Sequence, residues 1–189
     1  MASQGPTYVV GCTTTSESPY DDLGWTGTGS QAATDDTYAY ITSASFDAGV
    51  ISYRARNLMS TSPFTVPSDA TITGVVVEME HNWTAGTSAP NYALMQLVQA
   101  ATRIGTDKGG AGLTVPASEQ FTSYGGSTDM WGASLTPSIV NSSTFGVDYA
   151  VQSNATDTDY YLDSVRLTVY YTPAGGVSGH TSLIQFGVC

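Results

Sequence analysis

The sequence predicts an all-β protein: an antiparallel β-sandwich of jelly-roll-like type with extended terminal arms. Three observations support this prediction. Apolar and polar residues alternate with a period of two in several runs, as they do in strands that bury one face. Helical periodicity is nearly absent. Loops rich in Gly, Ser, Thr and Asp separate the runs at the short spacing that is typical of sandwiches and jelly rolls.

The stretch FTVPSDATITGVVVEME, residues 64–80, predicts a strand that begins at a fixed corner. Pro67 restricts φ, and Ser68 and Asp69 provide turn-forming side chains. Gly74 lets the backbone bend where the strand joins the sheet. Along the strand that follows, the inward face is expected to hold Val75, Val77, Met79, His81 and Trp83.

Other alternating runs predict further strands. They are TYAYITSASF (37–46), NYALMQLVQA (91–100), STFGVDYAVQS (143–153) and YYLDSVRLTVYYT (160–172). In the last of these, the alternation places Tyr161, Asp163 and Val165 on one inward face. In LTPSIVNSST, Thr136 is expected to cap a helical turn that begins with Pro137. The predicted structural core consists of Val75, Val77, Met79, Trp131, Phe145, Val147, Val165, Leu167 and Val169.

Composition excludes some functions. The 189 residues fit one domain, and only 11% of them are charged, well below the roughly 25% that is usual for soluble domains. The formal net charge is −11 with five Lys and Arg, so the chain cannot neutralise many phosphates. We therefore expect no nucleic-acid partner. No membrane partner is expected either, because an acidic lipid surface would repel the chain and no apolar run reaches 18 residues.

Both terminal segments are predicted to be arms. The predicted domains are an N-terminal arm and loop (1–31), a β-sandwich (32–172), and a Gly-rich linker with a C-terminal arm (173–189). Either terminal segment could instead be a strand of its own domain. Cys12 and Cys189 are interpreted as thiols; the alternative is a disulfide, which requires their Cα atoms to lie within about 7 Å. The predicted assembly contacts are Tyr8, Val9, Val10, Leu183, Ile184, Phe186 and Val188.

The sequence shows no convincing set of catalytic residues. Glu78 and Glu80 point the same way along a strand, as a glycosidase pair would, but a solvated strand face is the favoured interpretation. His81 is interpreted as a packed histidine. Three acidic loops offer the oxygen ligands that calcium prefers, and they contain Asp21 and Asp22, Asp35 and Asp36, and Asp157 and Asp159. Because turn-forming Asp is common for other reasons, we expect no cofactor and no metal, and a structural calcium ion is not favoured.

Three stretches, taken in order, resemble a β-sandwich module of bacteriophage virion proteins. They are residues 64–80, YGGSTDMWGASLTPSIVNSSTFGVDYAV (124–151), and YYLDSVRLTVYYT (160–172). The resemblance covers residues 32–172. It implies that Asp129, Trp131 and Gly132 form a structural corner, and it implies no catalytic residue.

The resemblance also implies a function. We expect a non-enzymatic virion protein: a capsid decoration (cement) protein on the outer capsid surface, synthesised in the host cytoplasm. Its partners would be the major capsid protein and copies of itself, in a homotrimer. One alternative is a tail, baseplate or fibre component. Another is a carbohydrate-binding module that uses Trp25, Trp83 and Tyr92 as a sugar platform.

Overall fold

A computed structural model describes residues 1–14, 25–27, 32–42, 53–61, 63–84, 86, 89–110, 114–153 and 157–175. Within these residues the chain forms nine strands and one short helix. In chain order they are β1 (Ala2–Thr14), β2 (Ala39–Ile41), β3 (Tyr53–Thr61), β4 (Thr71–Thr84), β5 (Asn91–Gln99), β6 (Thr102–Ile104), β7 (Gln120–Gly125), α1 (Pro137–Val140), β8 (Phe145–Ser153) and β9 (Asp159–Thr172). No helix in the described part of the chain is long and apolar enough to cross a membrane.

The strands form two antiparallel sheets, which confirms the predicted all-β class. In one sheet β4 lies between β7 and β9, and the other edge of β9 pairs with β2 and with the first half of β1. In the other sheet the order is β6, β5, β8 and β3, followed by the second half of β1. β1 therefore belongs to both sheets, and a register shift between Val9 and Gly11 accompanies its pairing with β3.

This pairing corrects the prediction for the N-terminal segment. The sequence predicts an arm and loop over residues 1–31, but within that range residues 2–14 form a strand that pairs with β9 and β3 of the same chain. Val9 is 2% exposed and belongs to the core, whereas Val10 is 64% exposed and Tyr8 is half-buried. The described fold therefore begins at Ala2 rather than at residue 32.

The predicted C-terminal contacts cannot be compared with the fold. Residues 176–189 lie outside the described residues, and with them Leu183, Ile184, Phe186 and Val188. β9 ends at Thr172, and the exposed residues 173–175 follow it.

Side chains from both sheets meet in one hydrophobic core, so the arrangement is sandwich-like. Phe64 packs edge-on against Phe145 of β8 with ring centroids 6.3 Å apart, and Tyr149 of β8 meets Tyr160 of β9. The nine residues that the sequence assigned to the core are all 0% exposed: Val75, Val77, Met79, Trp131, Phe145, Val147, Val165, Leu167 and Val169.

A β-bulge in β9 changes which residues face the core. Glu80 pairs with Ser164, and the next residue of β4, His81, pairs with Leu162, so Asp163 is an extra residue in β9. Such a residue shifts the alternation by one position. The prediction is correct from Val165 onward but wrong before the bulge, where Tyr160 and Leu162 are the core residues in place of Tyr161 and Asp163.

The predicted helical turn is confirmed and has a further role. The Thr136 side chain caps α1 by accepting from the backbone N–H of Ile139, and Pro137 is its first residue. After the helix, the Asn141 side chain accepts from the N–H of Val66 at 2.9 Å and donates to its C=O at 2.8 Å. This amide therefore fixes the segment that precedes the corner at Pro67.

Candidate functional site

The corner around Trp131 is a structural unit. Trp131 is 0% exposed, and its Nε1 donates to the C=O of Val75 at 2.9 Å. Asp129 Oδ1 accepts from the backbone N–H of Trp131, whose φ of 56° lies in the left-handed region. A Cβ on Gly74 would collide with the C=O of Gly126, so β4 and the turn after β7 approach too closely for any other residue at position 74.

Asp129 also anchors the corner from outside. Lys108 Nζ lies 2.7 Å from Asp129 Oδ2 and 5.0 Å from the centroid of the Trp131 ring. The hydrogen bond from Lys108 lowers the pKa of Asp129 below its usual value. Asp129 and Trp131 thus hold the backbone of this corner in place.

A neutral polar network lies between the two sheets. The Tyr149 hydroxyl donates to the Tyr160 hydroxyl at 2.8 Å, and the Tyr160 hydroxyl lies 3.1 Å from His81 Nδ1. Since the Tyr160 oxygen accepts from Tyr149, its own proton is available to His81 Nδ1. His81 Nε2 then carries the ring proton and donates to Thr122 Oγ1 at 3.0 Å. Burial lowers the pKa of His81 to about 3, so the imidazole is neutral.

The strongest candidate for a functional site is an acidic cluster on the opposite side of β9. It consists of Asp36, Glu119 and Asp163, each of which places one carboxylate oxygen within 4.8 Å of the other two. Asp36 and Glu119 are exposed, whereas Asp163 is 1% exposed. Tyr38 donates a hydrogen bond to Glu119 Oε2 at 3.0 Å.

Glu80 extends this cluster toward β4. It makes a hydrogen bond with the Asp163 carboxyl group, and its Oε2 accepts from Ser164 Oγ at 3.1 Å. Burial, followed by the hydrogen bond and the negative charge of Glu80, raises the pKa of Asp163 to about 7. Burial, together with the hydrogen bond and charge of Glu119, raises the pKa of Tyr38 to about 12. Both shifts have burial as their largest cause, and a neighbouring carboxyl group adds to each.

The described basic side chains are paired elsewhere. Arg103 Nε lies 2.7 Å from Asp148, which is fully buried, and Lys108 pairs with Asp129. Arg166 donates to both carboxylate oxygens of Glu78, at 3.0 and 3.2 Å. The side chains of Arg54 and Arg56 lie outside the described part of the chain.

The structure separates most of the residues that the sequence grouped together. Glu78 binds Arg166 while Glu80 contacts Asp163, so the two carboxyl groups have different partners. Of the acidic loops, only Asp36 joins the cluster; the described cluster contains neither Asp157 nor Asp159, and Asp21 and Asp22 lie outside the described residues.

The suggested sugar platform has a different environment from the one expected. Trp25 and Trp83 are partly buried against the core, and Trp25 packs edge-on against Tyr160 at 5.8 Å. The Tyr92 side chain lies outside the described part.

Sequence reasoning missed the acidic cluster. Glu119 lies in a loop and carries no motif. Asp163 did carry one signal, because a carboxylate on a predicted inward face needs an explanation.

Comparisons with known proteins add no constraint to this geometry. No family model, curated protein or solved structure matches the chain.

Proposed function

We propose that the protein is a non-enzymatic structural component of a bacteriophage virion, a capsid decoration (cement) protein that binds the outer capsid surface. One observation carries the proposal: the stretches that resemble the virion module pack together as one unit. Val75 of the first stretch accepts from the Trp131 indole of the second and pairs with Val169 of the third. These contacts support the idea that the resemblance belongs to one folded module.

The charge distribution also supports an outward-facing role. The chain has 16 acidic and five basic residues, and the three basic side chains described by the structure are already paired with carboxylates. The remaining surface is therefore acidic. A surface of this kind suits the outside of a shell, because it would repel the packaged nucleic acid.

Assembly is proposed to use the exposed part of β1 and the C-terminal segment. Val10 is 64% exposed next to the buried Val9, and few large apolar side chains in the described part are so accessible. Copies of the chain would form a homotrimer on the major capsid protein, since repeated positions on a symmetric shell favour symmetric oligomers. We expect Val10→Ser to weaken the trimer in native mass spectrometry, whereas Ala117→Ser, at another exposed position, leaves it intact.

Immunogold electron microscopy of purified phage particles tests the location directly. Antibodies against the recombinant protein should label the heads of particles produced by cells that carry the gene. Labelling confined to tails would replace decoration with the tail or fibre alternative. Particles without label, in a preparation whose infected-cell lysate contains the protein, would overturn the virion proposal.

A carbohydrate-binding module is the second candidate. It is favoured by the acidic cluster, because sandwich modules of this type often contain a structural calcium ion. The burial of Trp25 and Trp83 against the core argues against a flat sugar platform. Tryptophan fluorescence distinguishes the two candidates: a saturable change with a polysaccharide would support sugar binding, and an unchanged spectrum across a polysaccharide panel would support decoration.

A further inference from the structure

We propose that the acidic cluster of Asp36, Glu119 and Asp163 is a calcium-binding site that joins three separate segments of the fold. The proposal concerns the isolated protein and does not depend on a role in a virion. It is carried by the geometry of the cluster and by an independent feature of Asp163.

The spacing of the oxygens fits one calcium ion. Oxygens from Asp36, Glu119 and Asp163 lie within 4.8 Å of one another. Calcium binds oxygen at 2.3–2.6 Å, so two ligands on opposite sides of the ion are separated by about 4.6–5.2 Å. The three carboxylates are therefore close enough to share one divalent cation. Calcium is the ion we assign, because it accepts irregular sets of carboxylate ligands, whereas magnesium usually keeps several waters and binds through only one or two carboxylates.

The second observation is an unsatisfied atom. Asp163 Oδ1 has no hydrogen-bond partner among the described residues, although the side chain is only 1% exposed. A buried carboxylate oxygen without a donor costs several kcal/mol unless it is protonated or binds a cation. An oxygen of this same carboxyl group lies beside Asp36 and Glu119, where a cation would contact all three.

The fold fixes these groups before any ion binds. Asp163 is the extra residue of the β9 bulge, and its carboxyl group accepts from the backbone N–H of Asp35. Ala32 bridges to Ser164, so the loop that carries Asp36 is joined to β9 beside the bulge. Asp36 has a φ of 57°, a left-handed conformation that Asp tolerates better than most residues.

The charge around the cluster favours a divalent cation over a proton. Glu80 adds a fourth carboxyl group in contact with Asp163. Each basic side chain that the structure describes is paired with a different carboxylate. A single proton can relieve only the contact between Glu80 and Asp163, whereas a calcium ion also neutralises Asp36 and Glu119. The exposure of these two residues gives the ion access from solvent.

Calcium titration of chelator-treated protein tests the proposal. Isothermal calorimetry should give saturable binding of one ion, and calcium at a hundredfold excess over Kd should raise Tm by about 5–10 °C. Magnesium at the same ionic strength should give a smaller shift. Absence of calcium binding by calorimetry, or an equal shift with both ions, would overturn the assignment.

Single substitutions locate the ion. Asp163→Asn, Asp36→Asn and Glu119→Gln should each weaken calcium binding at least tenfold. Asp69→Asn is the matched control, because it removes the same charge from an exposed turn outside the cluster. In chelator, Asp163→Asn should unfold at or above the Tm of the wild type, since it removes a buried charge. If that variant does not fold, the calcium affinity of Glu119→Gln is the test. An affinity equal to that of the wild type would refute the site.

Discussion

Two polar groups lie on opposite sides of β9, one centred on Tyr160 and the other on Asp163, and they differ in charge and in hydrogen bonding. On the core side, His81, Tyr160 and Tyr149 form a neutral chain in which each ring or hydroxyl group has a partner. On the other side, Asp163 is almost completely buried among carboxylates, and one of its oxygens has no partner among the described residues. The bulge at Asp163 separates the two groups.

This difference distinguishes two uses of buried polarity. A neutral, fully hydrogen-bonded network stabilises one arrangement of the two sheets, because any shift would leave donors or acceptors unpaired. A buried carboxylate that lies among other carboxylates costs stability unless a proton or a cation neutralises it, which is the basis of the proposed calcium site. We therefore expect the core-side network to contribute to the stability of the fold, and the acidic cluster to bind a cation.

The largest effect is expected from a cavity in the hydrophobic core at Trp131. Trp131→Ala should lower the free energy of unfolding by about 3–5 kcal/mol, because the indole is fully buried and donates to Val75. Urea unfolding monitored by circular dichroism measures the loss. Trp131→Phe, which keeps much of the volume but not the hydrogen bond, should lose less. A loss near zero for Trp131→Ala would mean that the corner does not support the core.

Acid should weaken the core-side network through His81. The pKa of His81 is about 3 in the folded protein and about 6.5 when unfolded, so below pH 6.5 the unfolded chain binds more protons. The free energy of unfolding should fall as the pH is lowered from 6.5 toward 3, by about 2.7 kcal/mol at pH 4.5. Urea unfolding of the wild type and of His81→Gln isolates this contribution, because all other titratable groups are the same in the two proteins. Identical pH dependence in the two proteins would contradict it.

Matched removal of a polar group from each side should have opposite effects. Tyr160→Phe leaves the Tyr149 hydroxyl and His81 Nδ1 without their shared partner, and should cost about 2 kcal/mol. Asp163→Asn in chelator should be neutral or stabilising, because it removes a buried charge. Thermal unfolding of both variants in one buffer makes the comparison. Destabilisation by both would mean that the Asp163 carboxylate is satisfied without an ion.

The smallest effect is expected at an exposed ion pair. Lys108→Met should change the free energy of unfolding by less than about 1 kcal/mol, because both partners are partly exposed, at 27% and 35%. Asp129 would keep its hydrogen bond to the backbone of Trp131. Denaturant unfolding at low and high salt measures the change. A loss above about 2 kcal/mol, more than an exposed pair contributes, would show that the ammonium group is needed to hold the corner.

Some features of the fold followed from local pattern. The alternation of Val75, Val77 and Met79 predicted their burial, because a strand with one polar face has few other solutions. Thr136 and Pro137 predicted the start of α1, because a capping side chain and the fixed φ of proline act over only a few residues.

Other features depended on contacts between distant segments. The period of two predicted the wrong face for Tyr161 and Asp163, because the bulge in β9 is defined by its register with β4. The sequence predicted an arm where the structure has β1, because the strands that pair with β1, β9 and β3, lie far along the chain.

The sequence by itself determined the all-β class, the positions of the turn at Pro67 and of the helical turn at Pro137, and most of the core. Periodicity and turn chemistry act within a few residues, so a single stretch contains them. Only the tertiary structure brought together Asp36, Glu119 and Asp163, from a loop, the residue before β7 and a bulge. Each has a different local environment, and the distance between their oxygens depends on the register of the sheet rather than on any motif.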